Sequence, residues 1–433
     1  MDRLDLAVQL SMTASTEGPA AEPAPFGPFF PEPGACDALL ERAAALVAEG
    51  HRLEAASGQI GAALRPLLRI SNACSSSELD GMPLRPRELE RAAAGEEASE
   101  PGLARARRLA CAHVVAEQAL AAALPTKRVG LYAPEFVQCV HAELHRTAAQ
   151  EQAEPSADGD APGAWRERAA PGHADPNDIP DQLEWWQAAY ARPFGLEHAV
   201  VSAVCAPHRL AWVRPFEHGN GRTARLHTSL VLGALGLTHG LWSPYRGMAR
   251  ERDAYTSRLR TSAPLDADAT RRELEAFAIW LFDICLDEAR AARERLDTER
   301  LKARMSDLLA WLGAHPWVMG SERSVIKPDA LEPLLYTAMT GPVERARFIA
   351  MLGLQHRTGR RVLSSLLDFG LLVSDSSRAP VRFNLPIASL RFLFPGFWPD
   401  EPTLDEPGSA RESSWPAAAA APAGLTPSLA GGG

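Results

Sequence analysis

The segment best suited to chemistry covers residues 214–225 and reads Arg-Pro-Phe-Glu-His-Gly-Asn-Gly-Arg-Thr-Ala-Arg. Its Gly-Asn-Gly, at 219–221, comes directly before an apolar run with helical spacing over 223–235. Small residues leave backbone N–H groups uncovered, and at the first turn of a helix those groups attract an anion. Arg222 and Arg225 lie three apart and therefore share one helix face. Two guanidinium groups beside such a turn suit a di- or triphosphate better than a single carboxylate.

This segment resembles the signature of the Fic (Fido-domain) family, His-x-Phe-x-Asp/Glu-Gly-Asn-Gly-Arg-x-x-Arg. Two defined positions depart from it. Arg214 stands where the family has its histidine, and His218 stands where the family has an acidic residue. The matching positions, to which the resemblance assigns nucleotide binding, are Phe216, Gly219, Asn220, Gly221, Arg222 and Arg225.

The resemblance implies transfer of AMP from ATP to a Ser, Thr or Tyr hydroxyl of a target protein. In the family the histidine takes the hydroxyl proton, and the acidic residue binds Mg²⁺ at the phosphates. Arginine has a pKa above about 12, so Arg214 cannot act as that base. Because Mg²⁺ prefers oxygen ligands, the imidazole of His218 is a poor substitute. We therefore expect ATP as the ligand, and the change at His218 argues against a metal site.

Three interpretations of these two changes stay open. The chain is a catalytically impaired pseudoenzyme that keeps its anion site, or it is a transferase of altered chemistry. In the second case Arg214 supplies charge in place of the metal, and His218, His208 or Glu217 acts as the base. In the third case the core senses a nucleotide or forms oligomers, and the C-terminal domain carries the output by binding DNA or protein. Loss of the base together with the acid favours the first interpretation.

A second motif lies far upstream and reads Ser-Ser-Glu-Leu-Asp-Gly over residues 76–81. It resembles the family's inhibitory-helix motif, Ser/Thr-x-x-x-Glu-Gly/Asn. The residues at its defined positions are Ser76, Asp80 and Gly81. The resemblance implies that Asp80 faces Arg222 or Arg225 and blocks the terminal phosphate of the nucleotide. Because Asp is one methylene shorter than Glu, a direct bidentate pair stays open, and the hexapeptide is also typical of an N-cap or turn.

The rest of the pattern is mainly helical, which predicts a mainly α fold. A stretch at 163–166, Gly-Ala-Trp-Arg, resembles the family's Gly-x-x-Arg sequence. The resemblance implies that a small β-hairpin flap follows this stretch, within the polar segment 147–182. The predicted organisation is a disordered arm at 1–36, a helical region with the inhibitory segment at 37–125, the Fic core at 126–300, a linker helix and winged-helix domain at 301–399, and a disordered tail at 400–433.

The winged-helix prediction rests on residues 345–384. Helical patterns at 345–352 and 357–369 are followed by Gly370 as a C-terminal cap and by a hairpin around 375–380. From residue 341 to 393 there are eight arginines and three acidic residues. Three of these arginines, where a recognition helix would meet DNA phosphates, are Arg357, Arg360 and Arg361. DNA contact is one alternative, and packing against a protein is the favoured one.

Composition narrows the class of protein. The net charge of −9 gives no support for nucleic-acid binding by the whole chain. No apolar run approaches the roughly 20 residues needed to span a bilayer, and no secretion signal is recognisable. The six cysteines are scattered, which favours a reduced cytoplasmic protein without structural zinc. The expected partners are a nucleotide and a target protein, no membrane is expected, and a homodimer stays open.

Overall fold

The structure is a computed structural model that describes residues 33–56, 58–124, 130–150, 161–191, 195–259, 267–315, 325–395 and 397. The described residues are mainly helical and contain one two-stranded antiparallel sheet, which confirms the predicted mainly α class. The predicted C-terminal tail and most of the predicted N-terminal arm lie outside these residues. The last four positions of the arm, 33–36, belong to the first helix. No described helix is both long and apolar enough to cross a membrane.

The chain divides into two compact units, residues 1–297 and 298–433. The region at 37–125, predicted to be helical, begins with two helices that end at Ala56 and Leu79. The helices described in the first unit are α1 (Pro33–Ala56), α2 (Gly58–Leu79), α3 (Pro86–Ala93), α4 (Pro101–Ala123), α5 (Pro134–Gln150), α6 (Ile179–Tyr190), α7 (Leu196–Val213), α8 (Asn220–Ala234), α9 (Tyr245–Arg250), α10 (Arg252–Leu259) and α11 (Ala267–Arg295).

Helix α8 carries the signature arginines and lies at the centre of the first unit. It packs against α4, α5 and α7. Leu226 and Leu232 are wholly buried, and burial of each leucine contributes about 1.5–3 kcal/mol. A helix buried on most of its faces is fixed by its neighbours. Its first turn, with the glycines and arginines, is therefore held in a defined position.

The polar segment between α5 and α6 forms a loop rather than the expected β-hairpin flap. Residues 161–175 contain no strand, a 3₁₀ turn follows at Pro176–Asp178, and residues 151–160 lie outside the described part of the chain. The backbone N–H of Arg166 donates to the carbonyl of Pro215, and that of Gly163 donates to Nδ1 of His141. These polar groups are satisfied by α5 and the signature loop, so they need no partner strand. The flap prediction is wrong for the described residues.

In the second unit, the order of two helices followed by a hairpin is the order on which the winged-helix prediction rests. Gly370 ends the second of these helices with a positive φ of 87°. In the hairpin, Leu372 pairs with Phe383 and Val373 with Arg382. The elements described are α12 (Thr298–Ala314), α13 (Leu331–Thr340), α14 (Arg345–Met351), α15 (His356–Phe369), β1 (Leu372–Val373), β2 (Arg382–Phe383) and α16 (Ile387–Leu393).

Candidate functional site

The first turn of α8 is half-buried at its glycines and has uncapped backbone N–H groups. Gly219 precedes the helix with φ 74° and ψ 2°, and no side chain caps the first N–H groups. A Cβ at Gly219 would lie 2.5 Å from Nε2 of His145, so both conformation and space require glycine there. A Cβ at Gly221 would lie 3.0 Å from Nη1 of Arg225. The two glycines therefore allow an arginine side chain and a histidine ring to approach the backbone of this turn.

Asn220 and Phe216 hold the loop that leads into α8. The Asn220 side chain accepts a hydrogen bond from the Phe216 N–H at 2.9 Å and donates to the Phe216 carbonyl at 2.6 Å. Phe216 is 1% exposed, and its ring stacks on His141 with centroids 3.7 Å apart. In this structure both residues stabilise the loop. Their predicted contact with nucleotide stays a prediction.

Asp80 lies between the two signature arginines. Nε of Arg222 donates to Oδ2 of Asp80 at 2.6 Å, and Nη2 of Arg225 donates to Oδ1 at 2.8 Å. Each carboxylate oxygen thus binds a different arginine, an arrangement that the short aspartate side chain reaches without a bidentate fork. Burial alone would raise the pKa of Asp80, but Arg225 and Arg222 outweigh it and the pKa is lowered. Asp80 is therefore a stable anion at the place where a ligand anion would bind.

Asp80 owes its position to the end of α2 and not to an N-cap. The N–H of Gly81 donates to the Glu78 carbonyl at 2.9 Å, and the N–H of Met82 donates to the Ser77 carbonyl at 2.9 Å. Gly81 has φ 79°, and this hydrogen-bond pair is the glycine-terminated helix end known as the Schellman motif. The predicted motif residue Gly81 therefore ends the helix, which fixes the direction of the Asp80 side chain.

Arg225 is held by more than Asp80. Its Nε donates to Oγ of Ser76 at 3.0 Å, and its Nη2 donates to the Ser76 carbonyl at 3.1 Å. Its Nη1 donates to the hydroxyl of Tyr255 on α10 at 3.3 Å. Burial opposes the charged form, yet the Asp80 carboxylate outweighs it and the pKa of Arg225 is raised. Ser76 was predicted as part of this motif, whereas Tyr255, thirty residues beyond Arg225, was not.

Arg214 ends α7 in a left-handed conformation, with φ 48°, and its side chain is exposed. The buried guanidinium of Arg166 fixes this turn, since its Nε donates to the Arg214 carbonyl at 2.7 Å. The Glu217 carboxylate does not pair with Arg214, because its Oε1 accepts from the N–H groups of Glu167 and Arg168 at 3.2 and 3.0 Å. Among the described residues, the Arg214 guanidinium makes no ion pair.

Comparison with known proteins supports the resemblance on which the site rests. Residues 135–232 match the model of the Fic/DOC family. We call this matched stretch the Fic region. The matched region runs from α5 to α8 and includes the whole signature, while Asp80 lies outside it.

Similar solved structures also come from Fic proteins. One is a Fic family protein from Desulfovibrio desulfuricans G20, with 16% identity over 84% of this chain and 98% of that chain, and a TM-score of 0.44. Another is a Fic domain containing signaling protein from Bacteroides thetaiotaomicron VPI-5482, with 18% identity over 58% of this chain and 96% of that chain, and a TM-score of 0.42. None of the curated proteins matches this chain.

The Fic region offers few side chains that could replace the missing base. His208 is 2% exposed, and burial first, with Arg209 second, lowers its pKa to about 3. The pKa of Glu217 is also lowered, mainly by the N–H of Arg168, which makes this carboxylate a weaker base. Of the three alternative bases named from the sequence, His218 is the one that is exposed.

A magnesium ion does not fit the donors of this loop. Position 218 presents an imidazole, the Glu217 carboxylate is bound by backbone N–H groups, and Asp80 is engaged by two arginines. Within the residues that the structure describes, no group of three or more His, Cys, Asp or Glu side chains is arranged to hold a metal ion. Mg²⁺ takes oxygen ligands in near-octahedral geometry, and the loop does not present such a set.

His141 joins three segments of the Fic region and was missed at the sequence level. Its Nδ1 accepts from the Gly163 N–H at 3.0 Å, so its proton lies on Nε2, which donates to the His218 carbonyl at 3.2 Å. Its ring stacks between Phe216 and His145. Burial, and next the charge of His145, lower the pKa of His141 to about 3. A neutral imidazole therefore holds the signature loop.

Two titratable residues of α4, His113 and Glu117, lie one helical turn apart, the first buried and the second 13% exposed. His113 is 1% exposed, and burial followed by Arg222 and Arg225 lowers its pKa to about 3. One turn along, burial raises the pKa of Glu117 to about 7, although Asn72 donates to its carboxylate at 3.2 Å. Both groups favour their neutral forms because burial penalises charge. The helical spacing of i and i+4 was the available sequence signal for this pair.

The residues predicted to contact DNA lie in the second unit. Arg357, Arg360 and Arg361 are all exposed and all belong to the N-terminal half of α15. The neighbouring residues Gly359 and Val362 are buried. The three guanidinium groups therefore lie on the solvent-exposed side of α15.

Proposed function

We propose that the Fic region binds a nucleotide through its phosphates at the first turn of α8, and that its AMP-transfer activity is impaired. The observation that carries this proposal is the Asp80 carboxylate, held by Arg222 and Arg225 against that turn. A phosphate needs the same donors as a carboxylate: guanidinium groups and uncapped helix N–H groups. Asp80 would then be an internal competitor for the phosphate site.

Competition of this kind makes Asp80 inhibitory. Each charge-assisted hydrogen bond contributes about 1.5–3 kcal/mol, and an incoming phosphate must replace two of them. Removal of the carboxylate leaves both guanidinium groups without their counter-charge, so phosphate affinity rises. Asp80→Gly should therefore increase nucleotide binding over wild type.

The inherited reaction of this region is transfer of AMP from ATP to a hydroxyl of a target protein. The impairment follows from Arg214, which stays protonated at neutral pH and cannot accept a proton. It also follows from the loop donors, which do not suit Mg²⁺. The altered-chemistry alternative is supported by the exposure of Arg214, whose guanidinium would pair with a phosphate, and of His218, which would be its base.

Labelling with ATP radioactive at the α-phosphate tests these alternatives. The proteins compared are wild type, Asp80→Gly, and the double substitution Arg214→His with His218→Asp, alone and combined with Asp80→Gly. Label transfer only in proteins with the double substitution is the expected result. Efficient labelling by wild type would refute impairment, and its loss in Arg214→Ala would establish the altered chemistry.

A second candidate function is DNA binding by the second unit, favoured by the exposed arginines of α15. Guanidinium groups in the first turns of a recognition helix contact phosphates and fix its register on a duplex. A gel shift at low salt would compare wild type with Arg360→Ala combined with Arg361→Ala. A shift that the double variant loses supports this function, and no shift by wild type excludes it.

A further inference from the structure

Helix α10 presents two side chains to the turn that carries Asp80. The Tyr255 hydroxyl accepts from Nη1 of Arg225 at 3.3 Å. Arg252 lies three residues earlier, and a Cβ placed on Gly81 would be 3.2 Å from its Nη2. Residues three apart share a helix face, so one face of α10 directs both side chains to this turn. Neither residue belongs to the Fic signature or to the inhibitory motif.

Two guanidinium groups therefore bind the Asp80 carboxylate, and a third lies beside the neighbouring residue. Arg222 and Arg225 bind Asp80 directly, while Arg252 lies beside the next residue, Gly81. A Cβ on Gly221 would lie 3.6 Å from Oδ1 of Asp80, so the carboxylate rests against the first turn of α8. That helix end adds about half of an elementary positive charge. Around Asp80, the positive charge of the arginines and the helix end therefore exceeds the single negative charge of the carboxylate.

The pKa of Arg222 is lowered, as expected where positive charge is in excess. Burial lowers the pKa of Arg222, Asp80 opposes the change, and the positive charges of Arg225 and Arg105 lower it further. Arg105 is an exposed residue of α4. A ligand with several negative charges would relieve this repulsion more fully than one carboxylate does.

The signature loop supplies no comparable set of carboxylates for a metal. In nucleotide sites of the usual kind, acidic side chains hold Mg²⁺, and the ion neutralises the phosphates. Here the loop presents His218, and Glu217 is directed to the N–H groups of residues 167 and 168. Arginines can provide the same neutralisation without a metal, because they pair with phosphate oxygens in bidentate geometry.

We propose that the Fic region binds its nucleotide as a metal-free triphosphate, whose terminal phosphates contact Arg252 together with Arg222 and Arg225. This inference rests on the proposed function and adds the form of the ligand and a third arginine. AMP lacks the terminal phosphates, so it gains nothing from Arg252. The site therefore selects a nucleoside triphosphate by its phosphate chain, once Asp80 is displaced.

The first test measures nucleotide affinity of Asp80→Gly by calorimetry at low salt, in EDTA and in excess Mg²⁺. ATP should bind in EDTA at least as tightly as in Mg²⁺, and about tenfold or more tighter than AMP. Inorganic tripolyphosphate should compete with ATP in EDTA. ATP binding that requires Mg²⁺, or equal affinities for ATP and AMP, would overturn the inference and leave nucleotide binding intact.

The second test isolates Arg252 in the same Asp80→Gly background. Arg252→Gln should weaken ATP binding about tenfold and leave AMP binding unchanged, while Arg252→Lys should fall between. Arg290→Gln is the matched control, since Arg290 is an exposed arginine whose ion pair is with Asp287 on α11. Equal ATP affinities for Arg252→Gln and Arg290→Gln would refute the role of Arg252. No nucleotide binding in either buffer would refute the proposed function itself.

Discussion

Oδ2 of Asp80 accepts a 2.6 Å hydrogen bond from Nε of Arg222 across 142 positions of sequence. The contact joins the end of α2 to the first turn of α8, and it places an acidic group of the chain in its own anion site. The same carboxylate also binds Arg225. The stability of the folded protein and the proposed binding of phosphate are therefore coupled through the side chain of Asp80.

Asp80→Asn should lower the free energy of unfolding by about 2–3 kcal/mol, because it leaves two largely buried guanidinium groups without a counter-charge. We place the cost at the low end for a buried pair since the Asp80 side chain is 25% exposed. Thermal melting would measure the loss, and added tripolyphosphate should restore part of it. Glu78→Gln, which removes an exposed acid from the same helix, should change the melting temperature little. Equal melting temperatures for Asp80→Asn and Glu78→Gln would contradict the coupling.

Gly219→Ala should destabilise the protein by about 1–3 kcal/mol, because alanine at φ 74° is strained and its Cβ would meet the His145 ring. Chemical denaturation would measure this cost. Gly233→Ala is the control within the same helix, since its Cβ would be 3.5 Å from Oγ1 of Thr238, an ordinary contact. That substitution should be neutral or stabilising, because alanine is the better helix former. A cost for Gly233→Ala as large as that for Gly219→Ala would argue against a special turn.

His141→Phe keeps a ring in the stack but removes both hydrogen bonds, so it should destabilise the protein most above neutral pH. The pKa of His141 is lowered to about 3 from 6.5. Stability from the neutral ring is therefore complete above pH 6.5 and is lost as the pH falls below it, because the unfolded chain binds the proton. The stability difference between wild type and variant should shrink by about 2 kcal/mol from pH 7.5 to 5. A difference that does not change with pH would show that His141 is not held neutral.

Glu117→Gln should have the opposite pH dependence. Burial raises the pKa of Glu117 from 4.5 to about 7, so the stability it contributes is complete below pH 4.5 and is lost as the pH rises through 7. The variant should gain stability relative to wild type between pH 4.5 and 8, by up to about 3 kcal/mol. Parallel denaturant titrations at both pH values would measure it. Equal pH dependence of wild type and variant would contradict a buried neutral carboxyl group.

Local spacing was sufficient for much of the fold and part of the site. Helical patterns at 345–352 and 357–369 predicted α14 and α15 to within one residue, and Gly370 was recognised as the end of α15. The position of Asp80 opposite the signature arginines was also predicted. That prediction came from the resemblance of the segments 76–81 and 214–225 to two family motifs. The flap prediction failed since Arg166 and Gly163 form hydrogen bonds with distant groups, which no local pattern records.

The residues that sequence reasoning missed act through contacts between distant segments. Tyr255 and Arg252 lie on a short helix with no motif of its own, yet they face the Asp80 turn. His141 contacts His218 across 77 positions, and only the packing of α5 on α8 brings the two together. The partner of a side chain depends on how helices pack against one another. Residue spacing along the sequence describes only the faces of a single helix or strand.

The sequence by itself determined the residue types: two arginines one helical turn apart, glycines before them, an aspartate ahead of a glycine, and no base or metal-binding acid at the expected positions. Those facts fix which chemistry the loop can and cannot do, because pKa and ligand preference belong to the side chains. Only the tertiary structure decided that one carboxylate bridges both arginines and that Glu217 accepts from backbone N–H groups of residues 167 and 168. It also decided that α10 brings Arg252 beside Gly81. Such contacts depend on distances of a few ångströms between elements, which the packing of the helical core sets.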